Sequence, residues 1–185
     1  SEIKTLALSP QLVVKEQLLG LPSKIVRGTD HEKHDNDILD DSGLISSFEI
    51  NKEALGYFIH ADISLTENLA LSGGYRKERA KFDFKWIEGP TSGSTSDDED
   101  LYTLGATFQI TDNLSTYASY SKSFRFPVLE EFYDRRFKTL DTDLGAQTSD
   151  DFEVGLRFQN DSGLNVGVNI FHVLTQNEVW NFYHG

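Results

Sequence analysis

The amino-acid sequence predicts an all-β protein: an antiparallel up-and-down meander of about eight strands, forming part of a transmembrane β-barrel. Three observations carry that expectation. Apolar residues recur at every second position through several stretches of about ten residues. Short turns alternate with long polar loops along the chain. The polar parity of the strands holds mostly Gly, Asn, Ser and Gln, whereas the solvated face of a soluble sheet favours Lys, Glu and Thr.

The elements follow in order. Two weaker strands, at about residues 5–18 and 24–33, flank "LGLPS" with Gly20 and Pro22. "ALGYFIHADISL", residues 54–65, sets Leu55, Tyr57, Ile59, Ala61, Ile63 and Leu65 against Gly56, Phe58, His60, Asp62 and Ser64. "TENL" turns the chain into "LALSGGYRKERAKFDFKW", whose distal half is charged on both parities and is expected to project beyond any apolar layer. "LYTLGATFQI" has even positions Tyr102, Leu104, Ala106, Phe108 and Ile110 apolar, and "TDNL" turns it into the less regular "STYASYSKSFRF". "DFEVGLRFQ" sets Phe152, Val154, Leu156 and Phe158 against Glu153, Gly155, Arg157 and Gln159. "NDSGLNVGVNIFH" completes that hairpin, with Leu164, Val166, Val168 and Ile170 on one parity. Its head is rich in residues that tolerate tight turns. Long loops are expected at about residues 34–53, 87–100 and 125–149, all at the end opposite the short turns. The second of them, "IEGPTSGSTSDDED", is polar and of low complexity and reads as a mobile, solvated segment.

A ribbon with one wholly apolar side and one small, polar side suits a wall between two solvents. Lipid would meet the apolar parity and a wet lumen the other. In hydrocarbon every backbone N–H and C=O has to be bonded within the protein, so such a sheet closes on itself. Tyr57, Tyr75, Trp86, Tyr102 and Phe124, near strand ends, are placed to supply interfacial aromatic girdles.

Composition agrees and excludes alternatives. The chain has 185 residues, 30 acidic and 17 basic, for a formal net charge of -13, so the basic stripe of a nucleic-acid binder is not expected. Cysteine is absent, which removes disulfides, thiolate metal ligands and cysteine nucleophiles. No apolar run approaches the ~18 residues of a helical membrane span. With no methionine even at position 1, the chain reads as a segment of a longer or processed precursor.

Four motifs, in order, resemble the barrel of TonB-dependent outer-membrane receptors. "IVRGTDHEKHDND", residues 25–37, is similar to that family's "GxDxxxxxxDN" strand end. "ALGYFIHADISLTENLALSGGYR", residues 54–76, looks like its paired strands around a short periplasmic turn. Tyr117 to Ser121 read "YASYS", and Phe124 to Glu131 match an "FRxPxxEE" segment. Thr148, Ser149, Asp150, Glu153, Gly155, Leu156 and Arg157 match "TSDxxExGLR". The resemblance covers most of residues 22–178. It implies that residues 1–185 are a partial barrel, about a third of the ~22 strands of such a transporter, with the plug domain and the remaining strands absent. The ending "VWNFYHG" does not look like the family's last strand.

Candidate chemistry is sparse. His60, Asp62 and Ser64 share one parity and invite a hydrolase reading, but alternate residues of a strand lie ~7 Å apart, too far for direct hydrogen bonds without bending, so a polar lumen is the expected meaning. "HEKH" at His31 to His34 places its histidines on opposite faces of a strand, which argues against a metal pair. Asp97, Asp98, Glu99 and Asp100 read as a solvated loop without the spacing of a calcium site. "EEFYDRRF", residues 130–137, mixes aromatics with arginines on a long outer loop. Phe132, Tyr133, Arg135 and Arg136 are the candidate ligand contacts, suited to an anionic, catecholate-like ligand, against the plainer reading of loop packing. No catalytic residue, metal or cofactor is expected.

The expected function is therefore that of an outer-membrane TonB-dependent receptor or transporter of a Gram-negative cell, and not of an enzyme. A ferric siderophore is the commonest family substrate. The implied partners are outer-membrane lipid, the ligand, and the TonB complex through the plug region. The alternative is a complete small eight-stranded outer-membrane structural protein or adhesin.

Overall fold

The computed structural model describes residues 2–38, 48–86, 92–127, 131–134, 139–140 and 144–178. Among them the strands are Glu2–Leu8 (β1), Gln11–Leu18 (β2), Leu21–Ile38 (β3), Phe48–Ser64 (β4), Leu69–Trp86 (β5), Ser92–Thr111 (β6), Leu114–Arg125 (β7), Tyr133–Asp134 (β8), Thr139–Leu140 (β9), Gln147–Gln159 (β10) and Asn165–Gln176 (β11). One antiparallel sheet holds nine of them in the order β1, β3, β4, β5, β6, β7, β10, β11, with β2 also on β3. The expected meander is thus observed.

β1 and β2 are one lane of that sheet. Leu8 faces His31 and Gln11 faces Gly28, so Ser9 and Pro10 lie opposite Asp30 and Thr29 with nothing inserted. The Thr29 N–H donates to the Pro10 carbonyl at 3.2 Å. Proline has no N–H to return, and that alone interrupts the ladder. Counted by lanes, the strands number eight.

Two of the short turns share a device. Thr66 Oγ1 accepts the N–H groups of Asn68 and Leu69 at 3.2 and 3.0 Å. Asn160 Oδ1 accepts those of Ser162 and Leu164 at 3.1 and 3.0 Å. A side-chain oxygen at the start of the turn thus satisfies backbone donors that the ladder cannot reach. Between β2 and β3 the chain reverses through Leu19 and Gly20, both at positive φ. All four short turns lie at one end of the sheet.

At the other end the strands are longer than expected. The loop expected at 34–53 is narrower, because β3 runs to Ile38 and β4 begins at Phe48. The segment 87–100, expected to be a mobile loop, is strand from Ser92 onward. Its acidic run is held by partners: Lys77 Nζ lies 3.0 Å from Asp98 and 3.7 Å from Asp100, and Lys122 Nζ lies 3.7 Å from Glu99. Composition suggested solvation, whereas a long cross-strand ladder with β5 decided the conformation.

Cross-strand register sorts the side chains onto two faces. The apolar face carries Tyr57, Ile59, Leu71, Leu104, Phe108, Val154, Leu156, Val166 and Val168, all exposed. Val154, Leu156, Val166 and Val168 are 58%, 49%, 50% and 65% exposed, so no second layer of the described chain shields them. A packed sandwich would cover these positions, and the wall reading requires them bare. From Ile110 to Tyr102 the band spans eight steps of β6, about 26 Å at a rise near 3.3 Å; a 40° tilt reduces that to about 20 Å. β6 has 20 residues, about twice what one crossing needs, so its other half extends past the band.

Tyrosines mark where the band ends. Tyr57, Tyr75 and Tyr102 are exposed on the apolar face, and Tyr75 and Tyr102 stack with ring centres 5.5 Å apart. The Tyr75 hydroxyl donates to Asp100 at 2.6 Å and that of Tyr120 to Asp150 at 2.7 Å. These amphipathic rings fit a girdle. Phe124 does not belong to it, because its ring packs on Phe126 with centres 4.6 Å apart, toward the apolar cluster described next. The Trp86 side chain and the "VWNFYHG" ending lie outside the described residues.

Candidate functional site on the polar face

The opposite face is built from small residues and a few tall ones that lie flat against the sheet. Arg76 of β5 is held from both sides. Its Nη1 donates to Asp30 of β3, and its Nε and Nη2 donate to Glu78 at 2.7 and 2.5 Å. Its guanidinium also lies over the Phe58 ring, 5.8 Å from the centre. Gly56 of the intervening strand makes room: a Cβ there would sit 2.6 Å from Arg76 Nη2. Thus Gly28 and Asp30 of one quoted motif and Phe58 and Arg76 of the next meet in one three-strand cluster.

The third and fourth motifs meet in the same way. The Tyr117 ring of β7 lies over Gly155 of β10, whose added Cβ would fall 2.5 Å from the ring. Its hydroxyl donates to Glu153 Oε1 at 2.5 Å, and Asn169 Nδ2 donates to the same oxygen at 2.8 Å. The Arg157 guanidinium covers the ring at 4.3 Å. These motif residues therefore pin neighbouring strands to each other and carry no reactive constellation.

Between β7 and β10, the described residues Phe126, Phe132 and Ala146 lie against the polar face at the long-loop end. Phe126, Phe132 and Ala146 pack with Ile50 and Ala54 of β4 and Ala80, Phe82 and Phe84 of β5 in the one buried apolar cluster among the described residues. Phe132 is 0% exposed, with ring centres 5.2 Å from Phe82 and 5.0 Å from Phe84. Polar clamps hold both ends. Arg125 makes a bidentate pair with Glu131 at 3.0 and 3.1 Å and also donates to Gln147. The Ala146 N–H donates to Asp97 of β6 at 2.7 Å.

The candidate residues fall as follows. Phe132 is buried in the apolar cluster. Tyr133 lies on the two-residue strand β8, paired with Leu140 of β9. Arg135 and Arg136 lie outside the described residues. His60 and Asp62 do make a direct hydrogen bond, 3.1 Å from Nε2 to Oδ1, contrary to the expectation that their spacing forbids it. Two side chains leaning toward each other close the gap between their Cα atoms, and Ser64 is not joined to the pair. His31 and His34 take different partners, Glu53 at 3.0 Å and Glu32 at 3.2 Å, as opposite faces require. No group of three metal-ligating side chains occurs among the described residues.

Sequence reading missed Ile50, Phe82 and Phe84 as an inner apolar patch. The signal was present, since Ala80, Phe82 and Phe84 continue the parity that is polar below them at Ser72, Gly74 and Arg76.

An open antiparallel wall with one exposed apolar face and a tyrosine border has the features of a piece of an outer-membrane β-barrel. The family model "TonB dependent receptor-like, beta-barrel" matches residues 5–180, and the chain belongs to that family, whose members are outer-membrane β-barrel receptors. A curated relative, an uncharacterized TonB-dependent receptor of Haemophilus influenzae, is 28% identical over 133 residues, covering 68% of this chain and 35% of the relative. Among solved structures, the ferric-catecholate import receptor Fiu from E. coli K12 superposes with a TM-score of 0.75 at 14% identity, over 95% of this chain and 32% of that one. The alcaligin outer-membrane receptor FauA of Bordetella pertussis gives 0.76 at 19% identity, over 94% and 29%. The ferripyoverdine receptor of Pseudomonas aeruginosa gives 0.71 at 20% identity, over 95% and 26%. The chain spans between about a quarter and about a third of the length of these relatives.

Proposed function

We propose that the full-length protein is an outer-membrane receptor that takes up a ferric siderophore with energy delivered through TonB, and that this chain supplies part of its wall and outer loops. The apolar face, bare from Ile59 to Val168, carries the reading, because only lipid or an equivalent solvent makes such a face stable. The short turns then face the periplasm and the long loops the exterior. The relatives described as importing ferric catecholate and binding ferripyoverdine support the ligand class. Ligand would meet the outer loop at Tyr133, Arg135 and Arg136, close in sequence to the buried Phe132. The TonB complex would engage a plug domain of the kind the family carries.

The pairing order does not favour a self-contained eight-stranded barrel. The β1–β2 lane and β11 stand at opposite ends of the sheet and do not pair with each other. The test is iron uptake by cells carrying the full-length gene as their sole siderophore receptor. Radiolabelled iron presented as siderophore complexes should enter only when both the receptor and TonB are intact. Uptake that is unchanged without TonB sinks the proposal.

A further inference from the structure

On the side of the sheet that bears the apolar band, the strands at and beyond the tyrosine border carry two kinds of cation. Lys33, Lys77, Lys81 and Lys85 each hold a carboxylate, at 3.4, 3.0, 2.9 and 3.5 Å. Arg27 and Arg79 hold none: among the described residues no carboxylate lies within ion-pair distance of either guanidinium. Register sets both beside Tyr57. Arg27 of β3 is opposite Ile59 and Arg79 of β5 is opposite Leu55, so each is a diagonal neighbour of Tyr57 on the strand between them. Diagonal neighbours lie about 7–8 Å apart, within reach of an arginine side chain. The Tyr57 hydroxyl also has no partner among the described residues, whereas those of Tyr75, Tyr117 and Tyr120 each donate to a carboxylate. Carboxylates nearby are engaged elsewhere, Asp98, opposite Arg79, by Lys77 and Glu53 by His31 at 3.0 Å. Three exposed donors thus stand in a diagonal row without acceptors, in a chain with 30 acidic and 17 basic residues. The row lies where the exposed apolar band stops.

Taking the apolar face as the lipid face, as proposed above, we infer that Arg27, Tyr57 and Arg79 seat the phosphate-bearing headgroup of a lipid in the leaflet at the long-loop end. A guanidinium offers a planar fork of donors that matches phosphate oxygens in pairs, which an ammonium does not. The phenol supplies one donor more. The acyl chains run down from the row over Ile59, Leu71 and Leu104, all exposed. A free phosphate ion lacks those apolar contacts, so the seat selects the lipid-borne group. No ion pair within the protein has to break first.

The test uses the full-length receptor in a non-ionic detergent, titrated with diphosphorylated lipid A and with the same glycolipid stripped of its phosphates, bound lipid being counted by native mass spectrometry. Arg27→Gln and Arg79→Gln should each weaken the phosphorylated lipid about fivefold, and the double variant about twenty-five-fold. Binding of the phosphate-free lipid should be weak and the same in every variant. Lys81→Gln, which removes a cation of the same face already held by Asp83, should change little. Inorganic phosphate at equal concentration should not displace the lipid. Full retention of the phosphorylated lipid by the double variant overturns the inference, whether the row then proves idle or serves an acidic protein. Equal losses for both lipids, an equal loss in Lys81→Gln, or displacement by inorganic phosphate also overturn it. Thermal unfolding of each variant separates loss of contact from loss of fold. Iron uptake by the same variants is read separately: uptake that persists while lipid binding never depended on the arginines removes this inference and leaves the receptor function standing.

Discussion

The polar face divides into two regions built by one device and used differently. In β3–β5 and again in β7–β11, a glycine lets a tall side chain from a neighbouring strand lie flat, Arg76 over Gly56 and Tyr117 over Gly155. The first cluster sets two carboxylates on one guanidinium, and the wall above it is covered by Phe126 and Phe132. The second joins one carboxylate to neutral donors, with Arg157 on the ring, and no described segment covers it. The device itself therefore stiffens the wall wherever it occurs. What singles out the first region is the aromatic patch above it, and that is where a loop and, on the present proposal, a ligand converge.

Removing the cover should have the largest effect. Phe132→Ala empties a fully buried site between Phe82 and Phe84 and should cost about 3 kcal/mol, the lower end for a buried phenyl ring. The cost falls on the docking of the loop while the sheet stays intact. Proteolytic nicking of residues 126–146 in the membrane-inserted receptor should then rise about a hundredfold, since cleavage follows the open population. An unchanged nicking rate would mean that the loop is held by its polar clamps alone.

Breaking the first cluster comes next. Arg76→Met leaves Asp30 and Glu78 facing each other with side chains 20% and 16% exposed. Stranding charges in a buried pair typically costs about 3–5 kcal/mol; partial exposure here reduces the expectation to about 2 kcal/mol. Urea unfolding of the receptor in lipid vesicles should show it, and the matching change in the second region should be smaller. Tyr117→Phe removes one hydroxyl donor while Glu153 keeps Asn169, so about 1 kcal/mol is expected. If Tyr117→Phe proves as costly as Arg76→Met, the two regions are energetically alike and the contrast is lost.

The faces of this wall were legible because side chains alternate strictly along a strand, and a one-residue slip in reading would have put Val154 and Leu156 on the wet side. Glycines on the polar parity were legible as positions but not as partners, since the ring over Gly155 belongs to a strand 38 residues earlier. The acidic run Asp97 to Asp100 misled for a related reason: its carboxylates are matched by Lys77 and Lys122 on the strands to either side, and composition alone does not report neighbours. The placement of Phe132 was the least accessible. Phe132 in "EEFYDRRF" advertises an aromatic on an outer loop, but its socket lies on β5, some 50 residues away. Only the parity of Phe82 and Phe84 hinted at it.

The smallest effect concerns the extension beyond the tyrosine border, where β5 and β6 are joined by surface ion pairs. Lys77 donates to Asp98, which raises the amine above its ordinary range and lowers the carboxyl below its own. For Asp98 the lowered value means a contribution present above the ordinary carboxylate range and lost as pH falls through the folded value. For Lys77 the raised value means one present below the ordinary amine range and lost as pH climbs through the folded one. Both groups are fully exposed, and solvent screens them. Stability of the extension, followed by hydrogen exchange of the Lys77 to Lys85 amides, should thus stay flat through the neutral range, falling slightly only at strongly acid or strongly alkaline pH. Asp98→Asn should abolish the acid-side decline and leave the Phe132 and Arg76 effects untouched. A decline already evident near neutrality would place the joint between these strands in some group other than this pair.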